Sequence, residues 1–177
     1  MRSTLIARNY AEALFDLGEP GGHTNRYAEL IDGVAGAVET TPEIQAVLMS
    51  PRVPKSAKAR LLSEALEGAP REFVLFLQAL VKRGRQRHLR DIATEYQALL
   101  DIKHNRVRAG VTLARPADES LQRDIQAALS RQLGKEVIAA FHVDPEILGG
   151  TVVRVGERIH DGSVRRRMTK LRRLLSG

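Results

Sequence analysis

Apolar residues recur every three or four positions through the first hundred residues, which is the spacing of amphipathic helices. In residues 3–17 these are Leu5, Ile6, Tyr10, Ala13, Leu14 and Leu17, and the run Gly18-Glu19-Pro20-Gly21-Gly22 ends the helix. A second helix fits Thr24 to Glu39, with Tyr27, Leu30, Ile31, Val34 and Val38 facing inward. Thr41-Pro42-Glu43 opens a short third helix to Met49, with Thr41 as cap and Pro42 at the first helical position. Ser50-Pro51 breaks it. Pro54 opens a fourth helix carrying Ala57, Leu61, Leu62, Ala65 and Leu66. After Gly68-Ala69-Pro70, residues 71–83 are apolar nearly all round. That helix reads either as the central member of a bundle or as one wall of a groove, beside helix 3–17, that accepts a partner's helix. Gly84 suits its C-cap. A sixth helix runs from Gln86 to about His104, with Leu89, Ile92, Tyr96, Leu99, Leu100 and Ile102 apolar.

The period changes from 3.6 to 2 after Asn105. Val107, Ala109, Val111 and Leu113 alternate with Arg108, Gly110, Thr112 and Ala114, as in a half-buried strand. Arg115-Pro116-Ala117-Asp118 leads into an amphipathic helix through Leu121, Ile125, Ala128, Leu129 and Leu133, closed by Gly134. Residues 137–143, 151–155 and 157–160 read as three further strands, with Gly156 between the last two. Asp161-Gly162-Ser163 turns the chain, and Ser163 can cap a terminal helix that ends near Leu175. The expected fold is therefore mainly α: a six-helix N-terminal bundle over residues 1–105, followed by a small α+β C-terminal domain over 106–177. At about 70 residues the second part buries only a limited core.

Composition changes this picture in two ways. Aromatics make up 4% of the chain and Trp is absent, so the core must be aliphatic. Cysteine is absent too, which removes disulfides and thiolate metal sites and fits a reducing cytosolic setting. No apolar run exceeds five residues, against the ~20 that a membrane-spanning helix requires. The N-terminus shows neither a secretory signal nor room for a transit peptide, as expected of a bacterial protein. Charge separates the halves. Residues 1–105 hold 14 Lys+Arg and 13 Asp+Glu, whereas residues 106–177 hold 14 and 8, so two modules with different partners are expected.

Nothing in the chain carries catalytic chemistry. Gly134-Lys135 is followed by Glu136 without the upstream glycine of a phosphate-binding loop, and no GxGxxG occurs. The five histidines are scattered, and Ser163 lies in DGS rather than GxSxG. Catalytic residues, metal and cofactor are accordingly expected to be none, and a small enzyme is disfavoured. Two basic runs remain: Lys82 to His88, and Arg165-Arg166-Arg167 with Lys170, Arg172 and Arg173. They suit a solvated face, an acidic protein partner or nucleic acid. No aromatic side chain interleaves these arginines to stack on bases, so nucleic acid is not expected.

Three segments resemble the delta subunit of bacterial F-type ATP synthases, the relative of the mitochondrial oligomycin-sensitivity-conferring protein. Ala7-Arg8-Asn9-Tyr10-Ala11-Glu12-Ala13-Leu14-Phe15 is similar to that family's opening helix. Gly84-Arg85 with the apolar helix before it resembles its LxxLxxxGR segment. Gly149-Gly150, Gly156 and Asp161-Gly162-Ser163 resemble its C-terminal signature, a stalk-binding or structural element; Thr151 and Arg83 depart from the usual aliphatic residue and Asn. The resemblance implies a non-catalytic stator subunit on the cytoplasmic face of the membrane, held there only through the complex. Its N-terminal bundle would bind the N-terminal helix of an alpha subunit between helices 3–17 and 71–83. Tyr10, Ala13, Leu14 and Leu17 would face Phe76, Ala79, Leu80 and Arg83 across that groove. Its C-terminal domain would bind the C-terminal region of the b subunit.

Overall fold

The computed structural model describes residues 2–176; the side chains of residues 1–4, 170 and 173–177, with Lys170 and Arg173 of the terminal basic run among them, lie outside the description. The chain is mainly helical, with a small four-stranded sheet in its C-terminal part. It divides into two compact units, residues 1–100 and 101–177. The division falls five residues before the change of sequence period at 105/106. The last helical turn before the sheet joins the second unit because Asp101, buried, accepts from Arg108 Nε at 2.7 Å.

The first unit contains α1 (Arg2–Gly18), α2 (Thr24–Thr40), α3 (Pro42–Met49), α4 (Lys55–Ala65) and α5 (Arg71–Lys82). A 3-10 turn at Gln86–His88 leads into α6 (Leu89–Lys103), whose last residues cross into the second unit. The helices bury an aliphatic core seeded by a few aromatics: Tyr27 lies 5.5 Å from Phe73, and Phe15 5.6 Å from Tyr96, between ring centroids. Tyr96 Oη donates to the Thr24 carbonyl at 2.9 Å, which satisfies its hydroxyl inside that core. Burial pushes the Tyr96 phenol well above its ordinary pKa, so it stays neutral.

Three helices bury faces other than those expected. The inward stripe of α1 is Ala7, Ala11 and Leu14, and Leu5, Ala13 and Leu17 are exposed. Small side chains let α1 approach its neighbours closely, and the bulkier stripe is turned outward. α5 buries Phe73, Phe76, Leu77, Leu80 and Val81 but leaves Leu75 half exposed, so it is one-sided rather than enclosed. On α6, Ile102 is exposed beyond the last core residue, Leu100. Thr41 does precede α3 with extended backbone, but its side chain makes no capping bond. Gly84 closes α5 in the left-handed region (φ 68°): its N–H reaches Val81 O at 2.9 Å, and the Arg85 N–H reaches Leu80 O at 2.9 Å. These are the paired bonds of a Schellman end, which favours glycine at that position.

The second unit contains β1 (Arg106–Leu113), α7 (Glu119–Leu133), β2 (Glu136–Val143), a 3-10 turn at Pro145–Ile147, β3 (Thr151–Val155), β4 (Arg158–Asp161) and α8 (Val164–Ser176). Strand order is β2-β1-β3-β4. β1 runs parallel to β2, in register from Arg106↔Glu136 to Leu113↔Val143, and α7 makes the crossover that a parallel pair requires. β3 is antiparallel to β1 and to β4. Asp118 caps α7 by accepting from the Leu121 N–H at 2.8 Å. Ile125 and Leu129 of α7 lie over Ala109, Val111, Leu113, Val137 and Val153, yet α7 has no fully buried residue. This core is thin, as the size of the unit implies.

Candidate docking surfaces

The site predicted between α1 and α5 is joined by one aromatic contact. The Tyr10 and Phe76 rings meet edge to face, 6.2 Å apart at 73°. Ala13 and Leu17 lie one and two turns beyond Tyr10 on the same side of α1; Ala79 lies one turn beyond Phe76 on α5, and Arg83 is the C-cap that follows that helix. Ala13, Leu17, Ala79 and Arg83 are all exposed. Leu14 and Leu80 are not: both have no exposed surface, so they support this region from the core. Leu75, absent from the expected set, is 50% exposed on α5. An exposed Leu within a helical pattern cannot be told from a buried one by periodicity, and so it was missed.

Long-range ion pairs on the surface join α6 to α2. Arg90 on α6 reaches Asp32 at 2.6 Å and Glu39 at 2.7 Å on α2. The hydrogen bond to Glu39, then that to Asp32, raise the Arg90 pKa further above its ordinary value.

In the second unit all the signature residues but Gly156 gather at one place. Gly149-Gly150 enters β3, and Asp161-Gly162-Ser163 enters α8. The two segments are bonded backbone to backbone: Gly162 N–H to Thr151 O at 2.9 Å, and Val164 N–H to Gly149 O at 3.0 Å. Gly150 has φ 78°, and a Cβ there would stand 2.5 Å from the Gly162 carbonyl oxygen. Only glycine fits this approach. Asp161 Oδ1 accepts from the Ser163 N–H at 3.0 Å, and Ser163 Oγ accepts from the Arg166 N–H at 3.2 Å. The bonds from the Ser163 side chain and backbone hold the Asp161 carboxyl below its usual pKa, with Arg166 adding to the effect. Gly156 and Glu157 form the two-residue turn of the β3–β4 hairpin. Gly149, Gly150, Asp161, Gly162 and Ser163 thus act first as a latch that sets the start of α8 on the sheet.

Beside the latch, an open cavity of about 600 Å³ lies among Leu129 and Leu133 of α7, Val153 and Val155 of β3, Ile159 of β4 and Arg166 of α8. Along α8, Val164, Met168 and Leu171 form an exposed apolar stripe at i, i+4, i+7, next to the exposed Arg165, Arg166 and Arg167. Ile159 is also exposed. The arrangement can accept an apolar helix face with acidic flanks. Among the described residues no helix is long and apolar enough to cross a membrane.

Residues 6–175 match the family described as ATP synthase delta (OSCP) subunit. The chain is 42% identical to the ATP synthase subunit delta of Gemmatimonas aurantiaca, over 97% of this chain and 94% of that protein. It is 35% identical to the subunit delta of Desulforamulus reducens, over 97% and 96%. A chain in the cryo-EM structure of the Toxoplasma gondii mitochondrial ATP synthase hexamer shares the fold at TM-score 0.71 and 19% identity, covering 97% of each chain. With nearly its whole length matched, the chain belongs to the ATP synthase delta (OSCP) subunit family.

Proposed function

We propose that this chain is a non-catalytic stator subunit of an F-type ATP synthase. It ties the alpha/beta catalytic head to the b-subunit peripheral stalk at the cytoplasmic face of the membrane. Torque from the central rotor would otherwise turn the head with it, so the part needs affinity and stiffness rather than reactive groups. The first unit, read as a six-helix bundle, binds the N-terminal helix of an alpha subunit along α1 and α5. The second binds the C-terminal region of the b subunit at α8 and the adjoining cavity. The observation that carries the reading is the outward apolar stripe of α1 beside the open face of α5, joined at Tyr10 and Phe76.

Tyr10, Ala13, Leu17, Ala79 and Arg83 line the alpha-subunit surface; Leu14, Phe76 and Leu80 hold its floor, and Leu75 extends it. Burial of about 500 Å² of apolar surface contributes about 12 kcal/mol. Association costs about 4–15 kcal/mol. The balance is narrow enough that single apolar contacts decide whether the complex forms. The alanines matter because their small side chains leave room for a helix backbone. Basic side chains add on-rate and register more than affinity.

Calorimetric titration of the full chain with a peptide of the same organism's alpha-subunit N-terminal helix, at physiological and high salt, tests the reading. Saturable one-to-one binding that survives high salt is expected, because helix-in-groove docking rests on apolar burial. Absence of binding, together with salt-sensitive binding of the chain to RNA, would overturn it.

A further inference from the structure

The C-terminal ends of α3 and α5 meet the start of α4 and the 3-10 turn around a cavity of about 590 Å³. Its lining includes Lys55, Lys58, Arg85, Gln86 and Arg87 and no acidic residue. Lys58 is 3% exposed. Its Nζ donates to Leu48 O and Ser50 O, both at 2.7 Å, the free carbonyls at the end of α3. Both acceptors are neutral, so one N–H of the ammonium remains and no carboxylate pairs with it among the described residues. The carbonyl end of α3 offsets part of the cost of burying this cation, and an anion would offset the rest. Lys55 similarly caps α5 through Lys82 O at 2.7 Å. Arg85 and Arg87 are exposed and make no ion pair among the described residues. His88 lies 3.7 Å from Asp91 and is not counted among the ligands. Gln86 supplies the discriminating detail. It is 9% exposed, its Nε2 donates to Leu48 O at 3.1 Å, and its Oε1 is a buried acceptor without a donor.

We propose that this corner binds inorganic phosphate. The oxyanion meets the remaining Lys58 N–H and the forks of Arg85 and Arg87 with its charged oxygens. At neutral pH it also keeps an O–H, which donates to Gln86 Oε1 when that buried side chain turns toward the cavity. Sulfate has no such proton, and a phosphomonoester is mostly dianionic at pH 7 and lacks it as well. The site therefore prefers free phosphate over both. It uses none of the residues assigned to alpha-subunit docking, so the two binding events are tested separately.

The test is amide-resolved NMR titration of the full chain with phosphate, sulfate and AMP at constant ionic strength. Phosphate is expected to shift the amides of Ser50, Arg52, Val53 and residues 84–88 saturably below about 50 mM. Sulfate and AMP should bind about fivefold or more weakly. The surface variant R85Q/R87Q should weaken phosphate about tenfold while keeping the native spectrum. Gln86→Met should bring the phosphate-to-sulfate ratio near one. Three results would overturn the site: no saturable shift, equal affinity for phosphate and sulfate in the unaltered chain, or unchanged phosphate binding in R85Q/R87Q.

Discussion

Gly150→Ala tests the latch that sets α8 on the sheet. The new Cβ would stand 2.5 Å from the Gly162 carbonyl oxygen, a backbone atom that cannot swing aside as a side chain does. The left-handed φ of 78° adds about 1–2 kcal/mol for a residue with a Cβ. Relief requires moving residues 162–163. That weakens the Gly162–Thr151 and Val164–Gly149 backbone bonds, at about 1 kcal/mol each. It also weakens the Ser163 cap, at about 1 kcal/mol. Loss of chain entropy in the unfolded state returns about 0.4–1 kcal/mol. The net loss is about 3–5 kcal/mol, or about 12–40 °C in the Tm of a unit this small. Gly156→Ala is the control: it has positive φ (57°) but nothing within 4 Å, so the loss is about 1 kcal/mol or less. Urea denaturation of the full chain, followed at β3 amides with α5 amides as an internal reference, separates the two variants. Equal losses within about 0.5 kcal/mol would refute the close approach as the reason for glycine at 150.

Three further outcomes follow from the same geometry. Ala13→Asp and Ala79→Asp should each weaken alpha-peptide binding in calorimetry by about a hundredfold or more, because each places an unpaired carboxylate in an apolar contact. Both residues are exposed, so the urea midpoint should barely move. Arg90→Gln should lower the stability of the first unit by about 0.5–1 kcal/mol at low salt, the pair with Asp32 and Glu39 being partly screened by its exposure. Most of that difference should vanish in urea titrations at 1 M salt. The Asp161 carboxyl has a lower pKa folded than unfolded, so its contribution is present above the unfolded value of about 3.9 and disappears as pH falls through the folded one. Asp161→Asn should thus flatten the acid limb of the second unit's stability between about pH 5 and pH 2 in pH-dependent unfolding.

The helices and strands were legible because their causes are local. Pro42, Gly84, Gly134 and Gly156 punctuate the chain where the backbone turns, and the period changes where the sheet begins. Ser163 was legible as a cap because the DGS turn needs only its own neighbours. The candidate site was legible in outline: Tyr10 and Phe76 do meet. Its depth was not, since Leu14 and Leu17 have the same chemistry and the same spacing, yet one is fully buried and the other 47% exposed. The buried roles of Lys58 and Gln86 had no local cue, because their shared partner, the Leu48 carbonyl, lies 10 and 38 residues away.

Sequence by itself determined the order of elements, the aliphatic character of both cores and the absence of a catalytic motif, since composition and short-range spacing suffice for these. Tertiary structure alone decided that α1 turns its small residues inward, that the end of α3 is capped by a lysine from α4, and that Gly150 must admit the Gly162 carbonyl. Those outcomes depend on how closely distant segments approach. That distance is set by the mutual fit of side chains and backbone across the core, which no local pattern encodes.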